Sequence, residues 1–231
     1  MQISPSRAVE EKCTEKGFTL IEMSMVMVIV GIVISIMMTV LPSVIKTGKI
    51  KEARANLSKY DNALKGYAII NLRLPFADSN GDGLEDTGFS GTLPYRTLGL
   101  SNGNDVWGNP VKYAVYGSAG NPDNLTGTPA DKAALLVILG NISGAGFNQN
   151  IVYTTSLDAC AGANGTNSSN QAFVLASGGP KDLDGVNGAF DLCTGTAGVG
   201  FNAENKIQAL DYDDIVRPLS ITEFSNITCG P

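Results

Sequence analysis

Histidine is missing from this chain. Without an imidazole, Ser-His-Asp and Cys-His nucleophilic chemistry is excluded, and the commonest zinc ligand goes with it. No glycine-rich phosphate loop stands between a strand and a helix. Aromatic residues make up 7% of the sequence, with a single tryptophan, too few to argue for an electron path. These absences speak against an enzyme. Basic side chains are also in deficit, 16 against 22 acidic, for a formal net charge of −6 over 231 residues. The deficit is uneven. Residues 46–73 hold seven Lys/Arg against two acids, whereas residues 75–231 hold six against sixteen. An acidic C-terminal part disfavours nucleic acid, whose phosphates need a basic surface, and suits divalent cations.

Against this background one stretch dominates. From Met23 to Ile45 there are 23 residues without a formal charge. At about 1.5 Å per residue they make a helix of about 35 Å, enough to cross the hydrocarbon core of a bilayer. A single carboxylate, Glu22, stands at the entrance, where it is costly in lipid and calls for a partner or a task. The run is too long for a secretory signal core, and its flank of Glu10, Glu11, Lys12, Glu15 and Lys16 is mixed in sign. An ordinary membrane anchor gives no reason for Glu22. Pro42 lies inside the run, where a missing N–H predicts a kink or local opening.

Beyond the run, Ile50, Ala53, Leu57, Tyr60, Leu64 and Tyr67 recur at intervals of three and four. That spacing is one apolar face of an amphipathic helix, closed by Asn71 and Pro75. One helix from about Thr19 to Leu72 follows, roughly 80 Å long. Residues 75–231 then hold 23 of the 27 glycines, with short apolar runs between turn residues. Strands are expected at Val111–Tyr116, Ala134–Leu139, Ile151–Thr155, Ala172–Ala176 and Ile215–Phe224, with Pro218 marking the last as an edge, a bulge or a strand start. The expected fold class is α+β, a long N-terminal helix packed against a small antiparallel sheet with long Gly-rich loops. The expected divisions are a leader at 1–17, the helix at 18–74 and a β-rich head at 75–231.

Gly17-Phe18-Thr19-Leu20-Ile21-Glu22, directly before that uncharged run, resembles the class III signal of type IV pilins and type II secretion pseudopilins. The resemblance implies cleavage by a prepilin peptidase between Gly17 and Phe18, with N-methylation of Phe18. It implies that Glu22 meets the new N-terminal ammonium of a neighbouring subunit. It further implies a bacterial inner-membrane protein, its head in the periplasm, that polymerises into a homopolymer filament with an assembly platform and minor (pseudo)pilins. Asp105-Val106-Trp107-Gly108-Asn109-Pro110 through Tyr113 resembles the D-x-WGNP-x-x-Y segment of major pseudopilins, where Trp107 would pack under the sheet. On these grounds the expected function is a type II secretion major pseudopilin. The alternatives are an extracellular type IV pilus subunit for adhesion, motility or DNA uptake, and a membrane-anchored binding domain. Basic residues on the two sides of the run, Arg7, Lys12 and Lys16 against Lys46, Lys49, Lys51 and Arg54, do not decide the orientation.

Two loops suit a hard cation such as calcium. Asp78, Asn80 and Asp82, followed by Gly83 and Asp86, match the opening of a calcium loop, but Phe89 stands where an EF-hand needs a bidentate Glu. A polar turn held by its own side chains is the rival reading. The Asp182, Asp184 loop followed by Asp191, paired with the later Asp213-Asp214-Ile215 in which Asp213 is the candidate ligand, is similar to the C-terminal calcium loop of major pseudopilins. Of four cysteines, Cys13 falls in the expected leader. Cys160, Cys193 and Cys229 remain in the part expected to meet an oxidising exterior. Cys160–Cys193, bracketing the apolar run at 173–176, is the favoured disulfide and Cys193–Cys229 the rival. The Asn-x-Ser/Thr sites at Asn124, Asn141, Asn164, Asn167 and Asn226 reflect an Asn/Ser/Thr-rich composition.

Overall fold

The computed structural model describes residues 17–186, 188–194 and 199–230. The expected leader therefore lies outside the described residues except for Gly17, and Cys13 with it. The chain divides into two units, Met1–Thr47 and Gly48–Pro231. Helix α1, Leu20–Asn71, runs through the boundary.

In the first unit every described residue is exposed, including Met23, Ile29, Ile36 and Val44. A helix that is apolar on all sides and exposed along its described length belongs in lipid or against partner helices. Among the described residues this is the one helix long and apolar enough to cross a membrane. It continues through Pro42 without interruption. Thr39 and Ser43 turn their hydroxyls back onto the Ile36 and Val40 carbonyls at 2.8 and 2.7 Å, which adds local bonds beside the one Pro42 cannot make.

In the second unit the rest of α1 supplies the spine of the core. Ala53, Leu57, Tyr60, Leu64 and Ala68 are buried, and Ile50 packs against them. The stripe is the expected one except at its end, where Ala68 rather than Tyr67 is fully enclosed. Leu72, at φ 54°, ends the helix in the left-handed region.

Six strands follow: β1 (Ser90–Thr92), β2 (Lys112–Val115), β3 (Tyr153–Thr155), β4 (Ser168–Ser177), β5 (Gly200–Asn202) and β6 (Ile215–Ser220), with helices α2 (Lys132–Gly144) and α3 (Ile221–Cys229). The sheet order is β1-β2-β4-β3-β5, and β6, off this path, also pairs with β4. Strand β4 is the hub. Its first three residues pair with β3, and Phe173–Ala176 pair with β2 while the same stretch pairs with β6. Everything from Gln171 to Ser177 is buried, so both faces of this strand are covered. The sheet is mixed rather than purely antiparallel, because β3 and β5 run parallel.

Two expected strands were misread. Ala134–Leu139 is the middle of α2: Asp131 caps it by accepting the Ala134 N–H, and Leu135, Leu139 and Ile142 are buried at helical spacing. Ile215–Phe224 is a strand only to Ser220, whose hydroxyl then caps α3 by accepting the Glu223 N–H. Pro218 lies within β6, which among the described residues pairs with β4 alone and is therefore an edge, where a missing donor does no harm.

Candidate functional site

Three places carry the residues singled out by sequence. At the start of α1, Thr19 and Glu22 form a reciprocal pair. The Glu22 carboxylate accepts the Thr19 N–H at 2.8 Å, and the Thr19 hydroxyl accepts the Glu22 N–H at 3.3 Å. This is a capping box, legible as Thr-x-x-Glu ahead of an apolar run, and the sequence reading passed over it. Glu22 thus has a local task within its own chain. Phe18 is 83% exposed. A Cβ on Gly17 would meet nothing within 4 Å among the described residues, so packing against them does not explain a glycine there.

The second place is the loop after β4. Asp182, Asp184 and Asp191 bring carboxylate oxygens within 4.8 Å of one another, and so do Asp191, Asp213 and Asp214. Asp191 belongs to both groups. Its two oxygens accept the Leu183 and Asp213 N–H groups at 2.7 and 2.9 Å, which holds the loop against the segment entering β6. Asp184 accepts from Val186 and Leu192, and Asp214 accepts the Asp191 N–H at 2.9 Å. Leu192 is left at φ 51°, an unusual conformation for a branched side chain, held in place by these bonds. Asp191, Asp213 and Asp214 are at most 4% exposed.

Charges that dense need compensation. Burial, with the neighbouring Asp191 and Asp213 carboxylates, pushes Asp214 up to about 8. Among the described residues, the buried Asp214 Oδ1 has no hydrogen-bond partner. A Cβ at Gly179, where φ is +67°, would overlap Asp213, so only glycine lets the β4 exit pass this close. An all-oxygen donor set with an orphaned carboxylate oxygen fits a hard divalent cation, and the Asp191, Asp213, Asp214 cluster can hold a metal ion such as calcium. The sequence places Asp214 in the Asp-Asp-Ile run that pairs with this loop, but offers Asp213 alone as its ligand.

The third place, the 78–86 loop, is built differently. Asp78, 2% exposed, accepts the N–H groups of Asn80, Gly81 and Gly83 and the Thr92 hydroxyl. Asn80 and Asp82 each accept an N–H two residues on, and Asp86 accepts from Ser79 and Asn80. Among the described residues no three acidic side chains of this loop gather as a ligand set. The arrangement is a polar turn held by its own side chains. An unpredicted residue anchors it: Glu85 takes a bidentate Arg73 at 2.8 and 2.7 Å and the Phe76 N–H at 3.1 Å. The Arg73 guanidinium holds the Glu85 carboxyl below the usual range.

Two structural features complete the head. Cys160 and Cys193 are joined, Cα to Cα 5.0 Å, and Cys229 is free. The bond lies in a small separate core with Tyr153 and Ala163, so it ties the loop after β3 to the loop that carries Asp191. Trp107 is only partly buried. The anchor of its turn is Asp105, which accepts the Trp107 and Asn109 N–H groups at 2.9 Å and the Ser177 hydroxyl at 2.8 Å, pinning the turn to the end of β4.

Comparison with known proteins adds one finding. A protein-family model described as the prokaryotic N-terminal methylation motif matches residues 12–38, a stretch that contains Gly17, Phe18 and Glu22. No curated protein and no solved structure matches the chain. A long N-terminal helix on a mixed, mostly antiparallel sheet is a pilin-like architecture. The chain carries the N-terminal methylation motif typical of the type IV pilin and pseudopilin superfamily.

Proposed function

We propose that this protein is a structural subunit of a pilus-like filament. A prepilin peptidase cuts between Gly17 and Phe18 and methylates Phe18, the subunit waits in the inner membrane with its head in the periplasm, and it then polymerises through α1. The observation that carries this reading is the uncovered, uncharged helix directly behind the methylation motif. Packing of such helices against copies of themselves, in a contact that does not close, makes a filament. Glu22 pairs with the N-terminal ammonium of the preceding subunit, which offsets part of the cost of two charges in lipid. The partners are further copies of the chain, minor (pseudo)pilins and the inner-membrane assembly platform. Calcium, held by Asp191, Asp213 and Asp214 with Asp182 and Asp184 alongside, pins the last loop to β6 as a structural ion.

Within the superfamily, the D-x-WGNP segment and the acidic loop before β6 favour a type II secretion major pseudopilin. The protein's work is then mechanical: filament growth displaces a partner or cargo. A type IV pilus subunit is the second reading, favoured by the disulfide-tied insert between β3 and β4. Electron microscopy of peptidase-positive cells tests the proposal. Filaments should form, and Glu22→Val should abolish them while the protein stays in the membrane fraction. Unchanged filaments with Glu22→Val would count against the assembly role. Long surface fibres at native expression would select the pilus reading over the pseudopilus.

A further inference from the structure

The segment leading to β6 carries two apolar side chains that nothing among the described residues covers. Ile207 is 84% exposed and Leu210 is 97% exposed. They are set by a short turn, Ala209 bridging Tyr212, whose ring is buried beneath. Lys206, stacked over the Tyr212 ring and ion-paired with Asp158, holds the other end of the turn. The turn is therefore built, and it presents both apolar groups outward.

Its position is informative. A cavity in the second unit is lined by Glu204, Lys206 and Gln208 from this segment together with Arg54 and Leu57 of α1. The turn thus flanks the first turns of the helix within that unit, where Lys49, Lys51 and Arg54 are exposed against the single acid Glu52. Arg54 follows Ile45, the last residue of the uncharged run, by only nine positions. At about 1.5 Å per residue along α1 that is about 14 Å. Chain connectivity alone keeps this end of the head near any bilayer the run crosses. The opposite arrangement holds for α2, whose exposed Leu136 and Val137 lie on a helix packed on α3, and α3 is tied to Lys65 by Glu223.

We infer that the 204–211 turn and the neighbouring Lys51 and Arg54, three residues apart on one face of α1, form a membrane-docking surface, with Ile207 and Leu210 entering the interfacial layer and the basic residues meeting anionic headgroups. Projecting apolar side chains beside exposed cations are the composition that binds such an interface. A turn that projects singly offers little area to a protein partner, and two identical basic faces would repel one another. Glu204 and Asp211 border the turn, so the attraction is moderate and reversible, as a subunit that must later leave the membrane requires. Docking would hold the head against the bilayer until polymerisation lifts it. The inference rests on the membrane-anchored reading above.

The test uses the full chain in vesicles, with Cys13→Ser and Cys229→Ser to leave one labelling site, and an environment-sensitive fluorophore at Leu210→Cys or, as the control, Val137→Cys. In vesicles with roughly 30% anionic lipid, the label at position 210 should shift to the blue and be quenched severalfold by headgroup-region spin labels. Zwitterionic vesicles or high salt should weaken both effects, and the label at 137 should show neither. A label at 210 as water-exposed as that at 137 would overturn the docking surface. So would shielding that follows protein density instead of lipid charge, which would assign the turn to a second copy. Failure of the chain to float with vesicles at all would instead remove the anchored reading on which the inference stands.

Discussion

Asp61 shows how much a single side chain determines in this fold. It sits on the apolar face of α1, 2% exposed, and accepts from Arg217 of β6 at 3.0 and 2.9 Å, with Lys65 at 3.1 Å. Lys65 reaches on to Glu223 of α3, so one carboxylate joins the helix to the edge strand and the last helix. Asp61→Ala leaves Arg217 without its acidic partner and Lys65 with Glu223 alone, and should cost about 3 kcal/mol in chemical unfolding of the full chain in detergent. A loss below about 1 kcal/mol would mean that Arg217, 35% exposed, is satisfied by water instead. Glu85 supplies the pH dependence. Its folded carboxyl is held down by Arg73, so its contribution is fully present above the unfolded value of about 4.3 and is lost as pH falls through the lower folded value. The stability gap between wild type and Glu85→Gln should therefore be constant from pH 8 to about 5 and shrink on further acidification. A gap that widened in acid would contradict the ion pair. Neither residue was legible beforehand: Asp61 looks like a break in an apolar stripe, and the partner of Glu85 lies across a turn.

The elements divide by how much of their pattern is local. Helix α1 was legible nearly to the residue, because an uncharged run and a three-four stripe need no tertiary information. Strands β2, β3, β4 and β6 were legible as apolar runs, though their limits were not. Strands β1 and β5 have three residues each and no alternation, and they exist only because β2 and β3 offer an edge. Helix α2 was misread because Ala133–Leu139 is apolar throughout, and periodicity cannot separate a short run of that kind from a strand; Asp131 and the Leu135, Leu139, Ile142 spacing held the answer. Joining of the loops is also an element-scale property. The Cys160–Cys193 bond closes a separation of 33 residues, and its loss through paired serine substitution should lower stability by about 2–4 kcal/mol. Thiol titration of the oxidised wild-type chain under denaturing conditions should find only the cysteines outside this bond reactive, and reactivity at 160 and 193 would refute the pairing.

For the molecule as a whole, the acidic cluster and the uncovered helix are two separate demands on the environment, one for a cation and one for lipid or copies of itself. The first was half legible: Asp182, Asp184, Asp191 and the Asp213-Asp214 pair were readable as a group, whereas Asp214 as a ligand and the burial of its Oδ1 required the fold. Saturating calcium, at about 100 times the dissociation constant, should stabilise the head by about 2.7 kcal/mol, a gain that a chelator removes and Asp191→Asn with Asp213→Ala prevents. Retention of the full gain in that double variant would place the ion elsewhere, the 78–86 loop first. The second demand is the central one, and processing at Gly17 tests it most directly. Intact mass should be measured on protein from membranes and sheared filaments of cells with and without the peptidase. The account predicts a chain that begins at methylated Phe18 wherever the peptidase is present, and one that retains Met1 to Gly17 where it is not. A chain that keeps Met1 to Gly17 in peptidase-positive cells would contradict it, leaving an anchored domain that does not enter a filament.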